Sequence, residues 1–350
     1  MRRQRETGGV RMRALVKTAN EPNCMEIREI GKPVPRDQEL LIRVLGAGVC
    51  GTDLHIRKGE WICEKLPLVM GHEFCGEIDE VGRTVKGFKR GERVVVEPHH
   101  STCGICEYCL TGRRHLCPDK KAYGVDRNGG FAEYVAVDAN LAHKLREGIS
   151  PEEGALIEPT AIVCHGVLIK GTIRCTDRVA VVGPGPIGIL SAQVARAVGA
   201  AEVIVVGIRK DRETRLKLCE ELGFLTYEAE NTEAIEKLKN MYDVAIEASG
   251  FSKGIGLAID LLKKDKQLIT IGIPMEEHSS VPWEQAVKKS ETMICSYSSS
   301  YMAWEMALTL VSSGKIKLKP LITHLMPLED WEKAFDALEI GKGVKAVLRP

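Results

Sequence analysis

The sequence predicts an α/β chain in two parts, a β-rich domain followed by a doubly wound parallel sheet. Three observations carry this. At 350 residues the chain exceeds what one hydrophobic core usually serves, so two domains are expected. From about Met12 to Leu145 it reads as short apolar segments broken by glycine and proline, the pattern of a distorted barrel. From about Thr176 apolar strand-like runs alternate with helix-length segments, and that βαβ spacing builds a parallel sheet with helices on its faces.

Taken in order, RALVKTA, ELLIRVLGAG, FCGEIDEVG, ERVVVEP and GGFAEYVAV are the strands of the first part. In the second, RVAVVG is an apolar strand and IGILSAQVARAVGA its helix, EVIVVG the next strand and RETRLKLCEELG the next helix, followed by DVAIEAS, a further helix and QLITIGI. After ETMICSYS comes a helix-like YMAWEMALTLVSSG and a tail that resembles no further βαβ unit, so the chain is expected to rejoin its first domain. The expected organisation is a flexible extension over residues 1–11, a first domain over 12–160, the parallel-sheet domain over 161–300 and the return over 301–350.

A formal net charge of +1 with 28% charged residues gives no basic excess to hold nucleic acid by counterion release. No apolar run is long enough to span a bilayer, and the N-terminus lacks the apolar core of a signal peptide. Neither nucleic acid nor membrane is an expected partner. The twelve cysteines are therefore read in a reducing, cytoplasmic setting as metal ligands or small buried apolar residues.

Four of them, Cys103, Cys106, Cys109 and Cys117, stand in the run CGICEYCLTGRRHLC. So little chain separates them that they share one centre. A closed tetrahedral set of thiolates is the preferred structural site for zinc, and one irregular loop can wrap it.

Gly183-Pro184-Gly185-Pro186-Ile187-Gly188 reads G-x-G-x-x-G and lies between the apolar strand RVAVV and a helix. In that context the spacing gives a tight turn, close backbone approach to a pyrophosphate and close helix–strand packing, with the helix N-terminus facing the phosphates. An NAD site usually ends the following strand with an acidic residue for the ribose hydroxyls. This chain has Gly207 there, with Arg209, Lys210 and Arg212 just beyond. Losing the carboxylate removes a repulsion against a 2′-phosphate, and the cations suit it, so NADP(H) is expected over NAD(H). The alternative is a solvated first helical turn, with Asp211 or Glu213 serving a ribose.

A second, sparser set of metal-type residues comprises Cys50 in GVCGTDLH, His72 and Glu73 in MGHEFCGE, and Glu158 in ALIEPTA. Thiolate, imidazole and carboxylate together make a mixed donor set that can keep a position open, as catalytic zinc sites do. Any one of them alone could equally be a packing residue.

These motifs, with GGFAEYVAV and VVGPGPIG, occur in this order in the zinc-dependent medium-chain dehydrogenases, and the chain resembles that family from Met12 to its end. The LIEP segment makes it most similar to the polyol branch, with its sorbitol-type and threonine-type dehydrogenases. The resemblance implies a GroES-like β-rich catalytic domain split around a Rossmann domain, and two zinc ions per chain, one catalytic and one structural. The catalytic ion is implied on Cys50 and His72, with Glu73 or Glu158 completing the set. Thr52 matches the family's hydroxyl that takes the substrate proton, His55 lies where a relay towards solvent continues, and Asp53 is placed to orient His72. The implied reaction moves hydride between a secondary alcohol and a nicotinamide cofactor, giving a ketone. Relatives are commonly homodimers or homotetramers.

Sorbitol-type enzymes usually carry an Arg near a Trp after the last Rossmann strand. This chain has Ser298-Ser299-Ser300-Tyr301 before Trp304, a departure that puts sorbitol and threonine themselves in doubt. Neutral hydroxyls suit a polyol or sugar alcohol, although serines also cap helices. The alternatives are a threonine 3-dehydrogenase-like or other secondary alcohol dehydrogenase, a zinc-free quinone or enone reductase, and a non-catalytic zinc-binding interaction protein. The paired metal motifs argue against the second and the intact dinucleotide fingerprint against the third.

Overall fold

The computed structural model describes residues 9–274 and 276–350. The chain divides into two units, one of residues 1–158, 322–340 and 345–350, the other of 159–321 and 341–344. Two expectations are corrected here. The first strand begins at Arg11, paired with Gly31, so the extension is shorter than the expected 1–11; its residues 1–8 lie outside the described ones. The return begins at Ile322 rather than 301. Helix Tyr301–Ser312 stays with the second unit, where Trp304, Ala307 and Leu308 are buried and the Trp304 indole N–H donates to Ser299 Oγ at 3.0 Å.

The first unit is β-rich. Its main sheet runs, neighbour by neighbour, through Ala142–Lys144, Arg93–Val96, Glu73–Val81, Glu39–Gly48, Lys345–Arg349 and Ile322–Pro327, with Tyr134–Asp138 paired on Glu39–Gly48. A three-stranded sheet of Met25–Gly31, Arg11–Lys17 and Leu68–Val69 accompanies it; the alternating Met25–Gly31 was missing from the sequence reading. Apolar residues of these strands and of helix Trp331–Glu339, among them Ile42, Phe74, Val94, Phe335 and Leu348, form one buried cluster. Burying each such side chain is worth roughly 1.5–3 kcal/mol, which is what fixes the register near the site.

The second unit holds a six-stranded, wholly parallel sheet in the order Leu225–Glu228, Glu202–Gly207, Arg178–Val182, Tyr242–Glu247, Leu262–Thr270, Thr292–Cys295. Numbered by sequence this is the 3-2-1-4-5-6 order, with the switch point beside the first strand. Every strand read from the apolar runs is present. The segment RETRLKLCEELG is less regular than expected: it follows a 3-10 turn at Arg209–Asp211 and opens with a wide π-type turn at Arg212–Leu216 before the α-helical Lys217–Glu221. No helix among the described residues is long and apolar enough to cross a membrane.

Candidate active site

Strand register brings the sparse metal-type residues together. Gly48 pairs with Glu73 across the antiparallel strands Glu39–Gly48 and Glu73–Val81, so Cys50, just past the end of one, faces His72, just before the start of the other. Gly71 makes that approach possible: its φ is +90°, and a Cβ there would lie 2.7 Å from the Phe131 ring. Cys50 also caps the N-terminus of helix Gly51–Lys58, and its backbone N–H donates to Asp53 Oδ2 at 2.8 Å. The donor atoms of Cys50, His72 and Glu73 all lie within 4.8 Å of one another. Glu158 is not within that set, although it is buried near enough to interact electrostatically with His72 and Glu73.

The electrostatics of this pocket suit a cation. Asp53, Glu73 and Glu158 are all buried, and each interacts electrostatically with the others or with His72. Burial pushes the Asp53 carboxyl up, with His72 pulling the other way. Burial also pushes Glu158 up to about 7, against the pull of His72 and with a further push from Glu73. Burial lowers His72, but Cys50, Asp53 and Glu158 outweigh it and hold the imidazole well above its usual range. His72 Nδ1 and Asp53 Oδ1 are buried 3.8 Å apart, without hydrogen-bond partners among the described residues. Buried acids, a thiol and an imidazole make a mixed donor set of the kind that holds a divalent ion, with Lys345 supplying one positive charge against Glu73.

Thr52 and His55 lie three residues apart on helix Gly51–Lys58 and so share a face. Thr52 Oγ1 is 3.9 Å from Cys50 Sγ. His55 Nδ1 is 2.6 Å from Glu60 Oε2, a partner that sequence reasoning missed. Lys345 was missed too: its ammonium lies against Glu73 at 2.7 Å.

The four lobe cysteines gather as their spacing requires. The short pair His99–Ser101 and Lys121–Ala122 closes the loop at its base. Backbone N–H groups point at sulfur: Cys103 N donates to Cys117 Sγ and Cys106 N to Cys103 Sγ, each at 3.3 Å. N–H groups of Ile105 and Cys106 bring the Cys103 thiol down, and a Thr102 side-chain hydrogen bond brings Cys109 down to about 7. Against a backbone hydrogen bond from Cys109, the neighbouring thiols push Cys106 the other way, up to about 11. Four sulfurs gathered this closely, with backbone N–H groups aimed at them, fit a tetrahedral zinc site.

The three fingerprint glycines have separate physical causes. Gly183 has a φ of +101°, and a Cβ there would lie 2.7 Å from the Ser249 nitrogen. A Cβ on Gly188 would lie 1.8 Å from the Gly183 carbonyl oxygen. Around Gly185, the cap of helix Pro186–Ala197, a Cβ would meet nothing within 4 Å among the described residues, which is the open face a pyrophosphate needs. Pro186 and Ile187 form the first turn of that helix, Pro186 giving up no needed donor. Gly207 ends strand Glu202–Gly207, and a Cβ there would lie 2.8 Å from Pro184 Cγ, so the fingerprint itself crowds out a larger residue. The Arg209 side chain is 80% exposed, its guanidinium 3.9 Å from Glu228, while its backbone N–H donates to Glu230 at 3.0 Å. Arg212 is instead spent within the unit, on Glu220 at 2.5 Å and Thr226 at 3.4 Å.

The serine run is also committed. Ser299 is wholly buried under Trp304, and Ser300 Oγ lies 3.2 Å from His165 Nδ1, so these hydroxyls serve packing before any substrate.

Comparison with known proteins agrees with this geometry. The alcohol dehydrogenase GroES-like domain family matches residues 36–147 and the glucose dehydrogenase C-terminus family residues 152–349. A sorbitol dehydrogenase of Halalkalibacterium halodurans is 36% identical over 345 residues, covering 97% of this chain and 99% of its own. An L-threonine 3-dehydrogenase of Idiomarina loihiensis is 33% identical over 347 residues, covering 96% and 99%. Among solved structures, a dehydrogenase of Sinorhizobium meliloti 1021 described as zinc-binding and bound to NADP superposes with a TM-score of 0.88 at 30% identity, covering 98% of this chain and 100% of its own. The chain belongs to the zinc-dependent medium-chain alcohol dehydrogenases, NAD(P)-dependent oxidoreductases of the alcohol and polyol type.

Proposed function

We propose that the protein oxidises a secondary alcohol of a polyol or sugar to a ketone, with a catalytic zinc on Cys50, His72 and Glu73, Glu158 standing close by, and a structural zinc on Cys103, Cys106, Cys109 and Cys117. The observation that carries this is the convergence of three different donors within 4.8 Å in a pocket of buried acids. Zinc supplies Lewis acidity, which eases loss of the proton from a substrate hydroxyl. Thr52 Oγ1, beside Cys50, accepts that proton, and His55 passes it outward with Glu60 holding its ring. Gly183, Gly185 and Gly188 seat the dinucleotide, Pro186 and Ile187 start the helix that faces its phosphates, and the cofactor's nicotinamide receives the hydride.

NADP(H) is the proposed cofactor. Gly207 leaves no carboxylate to repel a 2′-phosphate, and the exposed Arg209 supplies the charge; Arg212, held by Glu220, acts by shaping the loop. The proposed setting is the cytoplasm, as a homodimer or homotetramer, without nucleic acid or membrane as partner.

The test is nicotinamide reduction by zinc-loaded protein against polyols, sugars, simple secondary alcohols and threonine, each with NADP and NAD. Turnover of a polyol with NADP is the expected result. Turnover confined to threonine or simple alcohols would overturn the substrate, and a preference for NAD would overturn the reading of Gly207.

A further inference from the structure

Glu73 is already held by a cation of the protein itself. Its Oε1 accepts from Lys345 Nζ at 2.7 Å, and Oε2 lies 2.5 Å from the same nitrogen, in ion-pair contact without hydrogen-bond geometry. The two side chains are 1% and 3% exposed. They come from separate strands, Glu73–Val81 and Lys345–Arg349, that flank Glu39–Gly48 on either side. The pair therefore has to cross the middle strand, and it does so over Gly48. A Cβ on Gly48 would lie 2.3 Å from Glu73 Oε2 and 3.3 Å from Lys345 Cε. The missing side chain at 48 is what lets the two groups meet.

The same carboxylate is one of the three donors that converge with Cys50 and His72. It thus faces two cations, an ammonium fixed by the fold and a metal ion that binds and leaves. A buried carboxylate without a counter-charge is strongly unfavourable, and removing one partner of a buried pair leaves that cost exposed. In the other direction, an ammonium beside a divalent ion repels it and draws on the lone pairs the metal would use.

We propose that Lys345 is a positioning residue that competes with the metal for Glu73: it supplies the counter-charge that keeps the metal-free centre folded, and by the same contact weakens the hold on the ion. The inference rests on the metal reading of Cys50, His72 and Glu73.

The test is Lys345→Met, close to isosteric and uncharged, compared with wild type and Lys345→Arg in the full-length protein. The zinc dissociation constant is measured by chelator competition, the signal of this centre being the zinc lost in Cys50→Ala, and melting is followed with and without zinc. The expected result for Lys345→Met is zinc held about tenfold tighter or more, because a like charge beside the ion is removed, a lowered melting temperature without metal and a melting temperature restored by zinc, while Lys345→Arg stays near wild type. A residue of purely structural importance would not tighten metal binding when removed. If Lys345→Met does not fold without metal, expression with zinc must rescue it, and Glu73→Gln/Lys345→Met must fold without metal. Unchanged or weaker zinc binding, or failure to fold even with zinc, overturns the inference alone. A wild-type protein that loses no zinc on Cys50→Ala overturns the metal reading and this inference with it.

Discussion

Asp53 stands between two donors that are distant in sequence: its Oδ2 accepts the backbone N–H of Cys50 at 2.8 Å, and its Oδ1 lies 3.8 Å from Nδ1 of His72. One buried carboxylate thereby fixes the turn that carries Cys50 and offers charge to the His72 ring. Asp53→Asn keeps an acceptor for the Cys50 N–H but removes the charge. It is expected to weaken zinc binding at this centre about 10- to 100-fold with little change in folding. Asp53→Ala loses the cap as well, at roughly 1 kcal/mol. Chelator competition and urea unfolding on the two variants separate these effects.

The glycine fingerprint allows a paired prediction. At Gly188 a Cβ would meet the Gly183 carbonyl oxygen at 1.8 Å, whereas at Gly185 it would meet nothing within 4 Å among the described residues. Gly188→Ala is expected to cost roughly 3 kcal/mol of stability and dinucleotide binding with it. Gly185→Ala is expected to fold normally yet lose affinity, because the methyl occupies the approach to the pyrophosphate. Unfolding curves alongside NADPH fluorescence titrations distinguish the two.

Arg209 and Arg212 should part in the same way. Arg209→Ala is expected to raise the KM for NADP about tenfold, the worth of a charge-assisted contact of ~1.5 kcal/mol, while leaving NAD unaffected. Arg212→Ala breaks the contact with Glu220 and should alter both cofactors alike. A steady-state comparison with NADP and NAD reads this directly. Gly207→Asp is a poor probe of the same question, since Pro184 and Leu216 already lie within 3 Å of where its Cβ would stand.

Glu291 gives a pH dependence independent of any metal. Both its carboxylate oxygens are buried without hydrogen-bond partners among the described residues, and burial pushes the group from 4.5 up to about 7, against the pull of Lys289. Between those values the folded state binds more proton than the unfolded, so stability falls as pH rises from 4.5 through 7. Glu291→Gln should therefore raise the melting temperature at pH 8 and leave it nearly unchanged at pH 4. An equal effect at both would contradict the assignment.

Much of this architecture was legible because its signals are local. The four lobe cysteines, the fingerprint glycines and the apolar strands of the parallel sheet each fall within one short window, and short windows are what pattern reading resolves. Lys345 was not legible: it lies 272 positions from Glu73 on a strand where a lysine reads as solvent-facing, and buried lysines are rare enough that no pattern announces them. The end of the second unit was misplaced because Tyr301–Ser312 is an amphipathic helix that could pack on either unit; its place is decided by Trp304 and Ser299, whose contact no periodicity encodes. The serine run reads as substrate hydroxyls or a helix cap; Ser300 does stand at the cap position of Tyr301–Ser312, while the Ser299 contact with Trp304 is, for the same reason, not encoded in the pattern.

The central claim is that the chain carries two metal centres with separate duties, Cys50, His72 and Glu73 for chemistry and the four lobe cysteines for structure. The direct measurement is zinc content per chain, with melting temperature, for wild type, Cys50→Ala and Cys106→Ala. The account predicts two zinc ions in the wild type, one in Cys50→Ala with the fold intact and turnover lost, and a marked loss of stability in Cys106→Ala. A single zinc in the wild type, or an equal loss of folding in both variants, would contradict it.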